Sequence, residues 1–165
     1  TSDERAYMRA LLNYKWFGGA HPGAFVTNDL AAISVAAGSA LDLQGLGDLV
    51  AASVSELSGA GTLTAKTLDF SGTLNVTIAN GSSDCLTVEG ALNLGEVELV
   101  VNEDTSAGKS ELGDYPVLAA TSLVGFDRNK WTVTGVDNDR TYSLAERDNT
   151  VYLLIRQRGM AVLLR

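Results

Sequence analysis

The sequence predicts an all-β fold: a short stack of coils, or β-solenoid, with an N-terminal amphipathic α-helix and a partly antiparallel C-terminal β cap. Three observations predict it. First, the chain contains an echo of itself. Leu68-Asp69-Phe70-Ser71-Gly72-Thr73-Leu74-Asn75-Val76 aligns without a gap on Leu86-Thr87-Val88-Glu89-Gly90-Ala91-Leu92-Asn93-Leu94. Each copy is two short runs of alternating apolar residues around a Gly. A unit this short buries its apolar face only by stacking on its neighbours. Second, Gly is frequent (17) and Pro scarce (2), and small residues crowd the first two thirds, which suits tight repeated turns. Third, between Phe25 and Tyr115 the only aromatic is Phe70, and after Tyr115 they recur at Phe126, Trp131, Tyr142 and Tyr152. The length of 165 residues fits one domain with small attachments.

Residues 1–17 are expected to form a helix. Thr1-Ser2-Asp3-Glu4 fits a capping box, and Tyr7, Met8, Leu11, Leu12 and Trp16 fall on one helical stripe. Gly18-Gly19 ends it. Two readings stand: a helix packed on its own domain, or one that covers the terminal coil or docks on another subunit. Residues 18–29 are a Gly-, Pro- and Asn-bearing linker. Residues 30–113 are the coils, with Leu74-Val76-Ile78 and Val97-Leu99-Val101 expected to point into the core. Asn75 and Asn93 align in the echo. They are either outward polar positions or a stacked Asn ladder. Asn102 to Gly113 is a polar loop that either ends the regular stack or bulges from one coil.

Residues 114–165 are the cap. Strands are expected at Tyr115–Ala120, Trp131–Thr134, Thr141–Ala145, Val151–Arg156 and Met160–Leu164, with turns at Val136-Asp137-Asn138-Asp139 and Arg147-Asp148-Asn149. The last strand is apolar on both faces. It either closes the cap or is donated to a neighbouring subunit. Candidate assembly contacts are therefore Tyr7, Met8, Leu11, Leu12 and Trp16 at one end and Met160, Val162 and Leu164 at the other.

Charge excludes one class of partner. The net charge of −8 argues against nucleic acid. Between Asn28 and Gly108 there are eleven acids against one base, Lys66. That stretch reads as a solvated, repulsive surface, with weak divalent-cation binding as the sharper alternative. The single Cys85 allows no intramolecular disulfide and reads as a buried or half-buried strand residue. No segment has transmembrane length. The chain opens on polar, acidic Thr1-Ser2-Asp3-Glu4, without a signal peptide or an initiator Met, which points to a processed form or a fragment of a longer protein.

The chemistry-bearing residues do not assemble into a catalytic set. A glycosidase needs two carboxylates on one site. The candidates Asp69 and Glu89 occupy different positions of the echo. A β-helix lyase needs a Lys or Arg on an outer face, and the coils offer only Lys66. Asp137-Asn138-Asp139 lacks the Gly and distal Glu of an EF-hand and reads as a turn. The expectation is no catalytic residue, no cofactor and no metal.

Two resemblances add to this. Val35, Gly38, Leu41, Leu43, Leu57, Gly59, Gly61, Leu63, Leu68, Gly72, Leu74 and Val76 resemble the autotransporter-associated β-strand repeats of bacterial secreted and surface proteins. That resemblance covers about Leu30 to Val101. It implies a right-handed parallel β-helix that serves as a stalk, passenger or surface fibre, secreted or on the cell surface, and not an enzyme. The segment from Tyr115 onward looks like the part that closes such arrays. The outer-membrane barrel of an autotransporter has no counterpart in the chain, so self-translocation is not expected. The run Asp3-Glu4-Arg5-Ala6-Tyr7…Leu11…Lys15-Trp16-Phe17-Gly18 resembles the closing helix of LamG-like jelly-roll domains. The function expected is a non-enzymatic structural or adhesive module that self-associates head to tail or binds other surface components. The alternative is a β-helix that binds or cleaves polysaccharide.

Overall fold

A computed structural model describes residues 29–43, 52–106 and 108–158. The expected N-terminal helix, residues 18–28 of the linker, the last strand and every candidate assembly contact lie outside these residues; Asp29, the last linker residue, opens the first strand. Among the described residues eleven strands hydrogen-bond into one open sheet. In chain order they are β1 (Asp29–Leu30), β2 (Ile33–Val35), β3 (Ala40–Asp42), β4 (Ala52–Gly59), β5 (Thr62–Ala79), β6 (Ser82–Ser83), β7 (Leu86–Glu103), β8 (Gly113–Val124), β9 (Trp131–Thr134), β10 (Arg140–Arg147) and β11 (Thr150–Gln157). Among the described residues the only helical turn is the 3-10 segment Arg128–Lys130.

Up to β9 the pairing is parallel, apart from the two-residue β6 folding back on β5. Three ladders run through it. The first places Leu30, Val54, Phe70 and Leu94 side by side. The second places Ile33, Leu57, Leu74, Leu99 and Val133 together. The third places Leu41, Leu63, Val88 and Ala120 together. Each of the first four passes contributes to all three. The inward residues form columns of like chemistry: Leu57, Leu63, Leu68 and Leu92 are fully buried, and Phe70 is 1% exposed.

The long strands β5 and β7 are bent, and their burial says where. Inward residues alternate as Leu63, Ala65, then skip to Leu68, Phe70, then skip to Leu74, Val76, Ile78. In β7 they run Leu86, Val88, then Leu92, Leu94, then Val97, Leu99, Val101. Period-2 alternation fails at each corner, because the chain turns there and the same side must keep facing the core. The expectation that Leu74-Val76-Ile78 and Val97-Leu99-Val101 share a buried face is met.

The echo in the sequence does not mark stacked rungs. Leu68 pairs with Leu92 and not with Leu86, and Leu74 pairs with Leu99 and not with Leu92. Leu86 itself pairs with Leu118. What the echo repeats is a corner. Gly72 lies between the first and second ladders, and Gly90 between the third and first. Both hold φ near the far edge of the positive region, +145 and +149. At each, a Cβ would lie on a backbone carbonyl of the preceding pass: 2.1 Å from Ser55 O at Gly72 and 1.7 Å from Ala65 O at Gly90. Only Gly lets the passes close up at these corners.

After β7 the chemistry changes. β8 pairs parallel with β7 through Leu118–Val124 and antiparallel with β11 through Gly113–Ala119. β10 and β11 form an antiparallel hairpin joined by Asp148 and Asn149, both at positive φ. The expected turn at Arg147-Asp148-Asn149 and the partly antiparallel pairing are therefore present. Tyr115 (4% exposed) and Trp131 (7%) join the core cluster, and Phe126 meets Trp131 at 5.7 Å between ring centroids.

Candidate functional site

The outer faces of the passes are polar, and several pairs of their side chains bond one pass to the next. Asn93 Nδ2 donates to Asp69 Oδ1 at 2.6 Å, and Asn75 Nδ2 donates to Glu56 Oε1 at 3.0 Å. Thr64 Oγ1 donates to Glu89 Oε2 at 3.1 Å, and Thr134 Oγ1 to Glu98 Oε1 at 3.2 Å. Every one of these bonds joins neighbouring passes. Asn75 and Asn93 are thus outward polar positions and not a stacked ladder. They stand on different ladders, and each binds a carboxylate of the pass before it. The carboxylates Asp69 and Glu89 are likewise apart, on the first and third ladders, opposite Asn93 and Thr64.

A groove of about 440 Å³ follows the corner between the first and second ladders. Equivalent residues of three passes line it, Ser53 beside Asp69 beside Asn93. Ser71 joins it to a second hollow of about 380 Å³ that carries Glu96, Glu98 and Lys130. Its apolar floor is Val54, Phe70 and Leu94, whose side chains are turned inward, so no exposed aromatic face is offered to a sugar ring among the described lining residues. Sequence reading missed this groove because it depends on the true register, which brings residues of three separate passes into contact.

Ion pairs concentrate on the later strands. Lys109 Nζ reaches Asp137 Oδ2 at 2.6 Å and Asp139 Oδ2 at 3.1 Å. The Asp137-Asn138-Asp139 segment is a turn, as expected, and a lysine of the same chain occupies its carboxylates. Asp114 lies between Arg147 (2.7 Å) and Arg156. Arg147 also lies over the Tyr152 ring at 5.4 Å. Arg140 and Glu103 form a more enclosed pair at 3.5 Å, with Glu103 also accepting from Ser110 N at 2.6 Å.

These contacts set the pH response. Hydrogen bonds from Arg156 and then Arg147 hold the Asp114 carboxyl below its ordinary value, and Lys109 does the same to Asp139. The Ser106 backbone N–H lowers Asp104. Bonding to Asp137 and then Asp139 raises Lys109. A depressed carboxylate stabilises the fold above its unfolded value, and that contribution disappears as pH falls through the folded value. A raised lysine stabilises below its unfolded value, and that is lost as pH rises through the folded one. The urea midpoint is therefore expected to be flat at mid pH, to fall below about pH 4 and to fall again above about pH 10.4. The groups are exposed, so both shoulders should shrink with added salt. A midpoint that climbs on acidification would contradict the assignment.

Cys85 is half-buried, as expected, but immediately precedes β7 and is not within a strand. Burial pushes its thiol up, which weakens it as a nucleophile. No cluster of His, Cys, Asp and Glu able to hold a metal occurs among the described residues, and none of their helices is long and apolar enough to cross a membrane.

No family model, curated protein or solved structure matches the chain.

Proposed function

We propose that the chain is a short right-handed parallel β-helix acting as a non-enzymatic structural or adhesive module of a bacterial secreted or cell-surface protein. One observation carries this reading. Four carboxylates of the outer faces, Glu56, Asp69, Glu89 and Glu98, accept hydrogen bonds from Asn75, Asn93, Thr64 and Thr134 of a neighbouring pass. Side chains used this way stiffen a rod, whereas a catalytic site keeps its carboxylates available to substrate. Further coils or further subunits extend such a stack along its axis, through the ends that hold Tyr7, Met8, Leu11, Leu12, Trp16, Met160, Val162 and Leu164. A heterologous contact of that kind grows into a filament.

The corner groove favours a second reading, a β-helix that binds or cleaves a polysaccharide laid across the passes. A glycan array combined with a polysaccharide depolymerisation assay separates the two. Neither binding nor cleavage is the expected result. Saturable binding lost on Asp69→Ala, or release of oligosaccharides, would replace the structural reading with the second.

A further inference from the structure

The strand order of the sheet ends on β10, and among the described residues its outer edge pairs with nothing. Exposed edges are usually blunted by charged side chains, Pro or a bulge. β10 reads Arg-Thr-Tyr-Ser-Leu-Ala-Glu-Arg: its charges stand only at its two ends, it has no Pro, and its register with β11 is unbroken from end to end. Asp148 (φ 50) and Asn149 (φ 58) make the tight connection to β11. Such a turn aims the Arg147 carbonyl at the Thr150 N–H. Antiparallel ladders alternate. The backbone groups of Thr141, Ser143 and Ala145 therefore face β11 with those of Arg147. Those of Arg140, Tyr142, Leu144 and Glu146 face the open edge.

We propose that this edge is self-complementary, and that β10 pairs antiparallel with β10 of a second copy about a two-fold axis at Ser143. In that register Tyr142 lies opposite Leu144 and Arg140 opposite Glu146, so all four edge-facing residues fall in hydrogen-bonded pairs. Asp139 lies opposite Arg147. Each opposite-charge pair occurs twice. Tyr142 and Leu144 face the core side, where Leu144 is 9% exposed and Tyr142 packs on the cluster, so the apolar row continues across the axis. A slip of one residue turns every side chain to the wrong face. A slip of two, to an axis at Leu144, sets Tyr142 against Glu146 and Asp139 against Asn149. Arg140, Arg147 and Asp139 already bind Glu103, Asp114 and Lys109 within the chain, so the cross-axis charges select register more than they add affinity. This pairing is two-fold and joins two stacks at the end where the strand order stops. It is closed, so it makes a dimer and not a filament.

Sedimentation equilibrium of the full chain tests it. A concentration-dependent dimer is expected. Ser143 is exposed and sits at the axis in a non-hydrogen-bonded pair, with Cα atoms about 4.5 Å apart. Ser143→Lys sets two charges face to face and is expected to weaken the dimer at least tenfold, with the circular dichroism spectrum unchanged. In a Cys85→Ser background, Ser143→Cys is expected to form an intermolecular disulfide on mild oxidation, since that spacing is within disulfide reach. Ala145→Cys, which faces Thr141 across the axis, is expected to crosslink far more slowly. A monomer at every concentration overturns the proposal. So does a dimer untouched by Ser143→Lys, or equal crosslinking at the two positions.

Discussion

Gly90→Ala is expected to cost about 3 kcal/mol or more of stability, among the largest losses from a single methyl group in this chain. The added Cβ would lie 1.7 Å from Ala65 O and 2.8 Å from Ala65 C, both backbone atoms. No rotamer change relieves that. β5 would have to move, and β5 is held between β4 on one side and β7 on the other. The strained φ of +149 adds its own cost. Gly81→Ala is the control: φ there is +76 but nothing lies within 4 Å of the new Cβ. It should cost only about 1 kcal/mol, the backbone part alone. Urea denaturation followed by circular dichroism compares them. Equal midpoints for the two variants would mean that the corner does not depend on close approach of the passes.

Phe70→Ala is expected to cost about 3–5 kcal/mol. Phe70 is the largest of the fully buried side chains and stands in the first ladder between Val54 and Leu94. Its neighbours are fixed by parallel pairing on both sides, so they cannot collapse into the void. Cavity cost then adds to the lost transfer free energy. Val124→Ala is the contrast. Val124 is 54% exposed, and its truncation should change stability by no more than about 0.5 kcal/mol. Thermal or urea unfolding of both variants measures the difference. A Phe70→Ala loss near that of Val124→Ala would mean that the column is loosely packed.

Much of the fold was legible because parallel stacks leave a plain local mark. Leu74-Val76-Ile78 and Val97-Leu99-Val101 alternate in sequence and are buried in the structure. The turn at Asp148-Asn149 was readable from residues that tolerate positive φ, and the two are found there. The register was not legible. The true pairing of β5 with β7 is interrupted by shifts between Thr64 and Thr67 and between Phe70 and Gly72. A gapless echo outscores a broken alignment on any simple comparison, although it matches one kind of corner to another. A signal did exist. The breaks in alternation at Lys66-Thr67 and Ser71-Gly72-Thr73 recur at Glu89-Gly90-Ala91 and Gly95-Glu96, and they mark the coil by its corners. The groove beside Asp69 and Asn93 was hidden for the same reason, since its residues come from three passes.

The sequence by itself determined that the chain is β-rich, acidic through its middle and poor in aromatics between Phe25 and Tyr115, and where the inward runs Leu74-Val76-Ile78 and Val97-Leu99-Val101 lie. These follow from composition and from side-chain alternation, which are local. Only the tertiary structure decided which pass lies against which, that Asp69 meets Asn93 and Glu56 meets Asn75, and that Lys109 closes on Asp137 and Asp139. Those contacts join residues far apart in the chain, which no local pattern can pair. They depend on corner geometry at glycines such as Gly72 and Gly90, where the absence of one methyl group lets two backbones meet. The echo from Leu68 to Leu86 marks such a corner, and the partner across it becomes visible only once the passes are stacked.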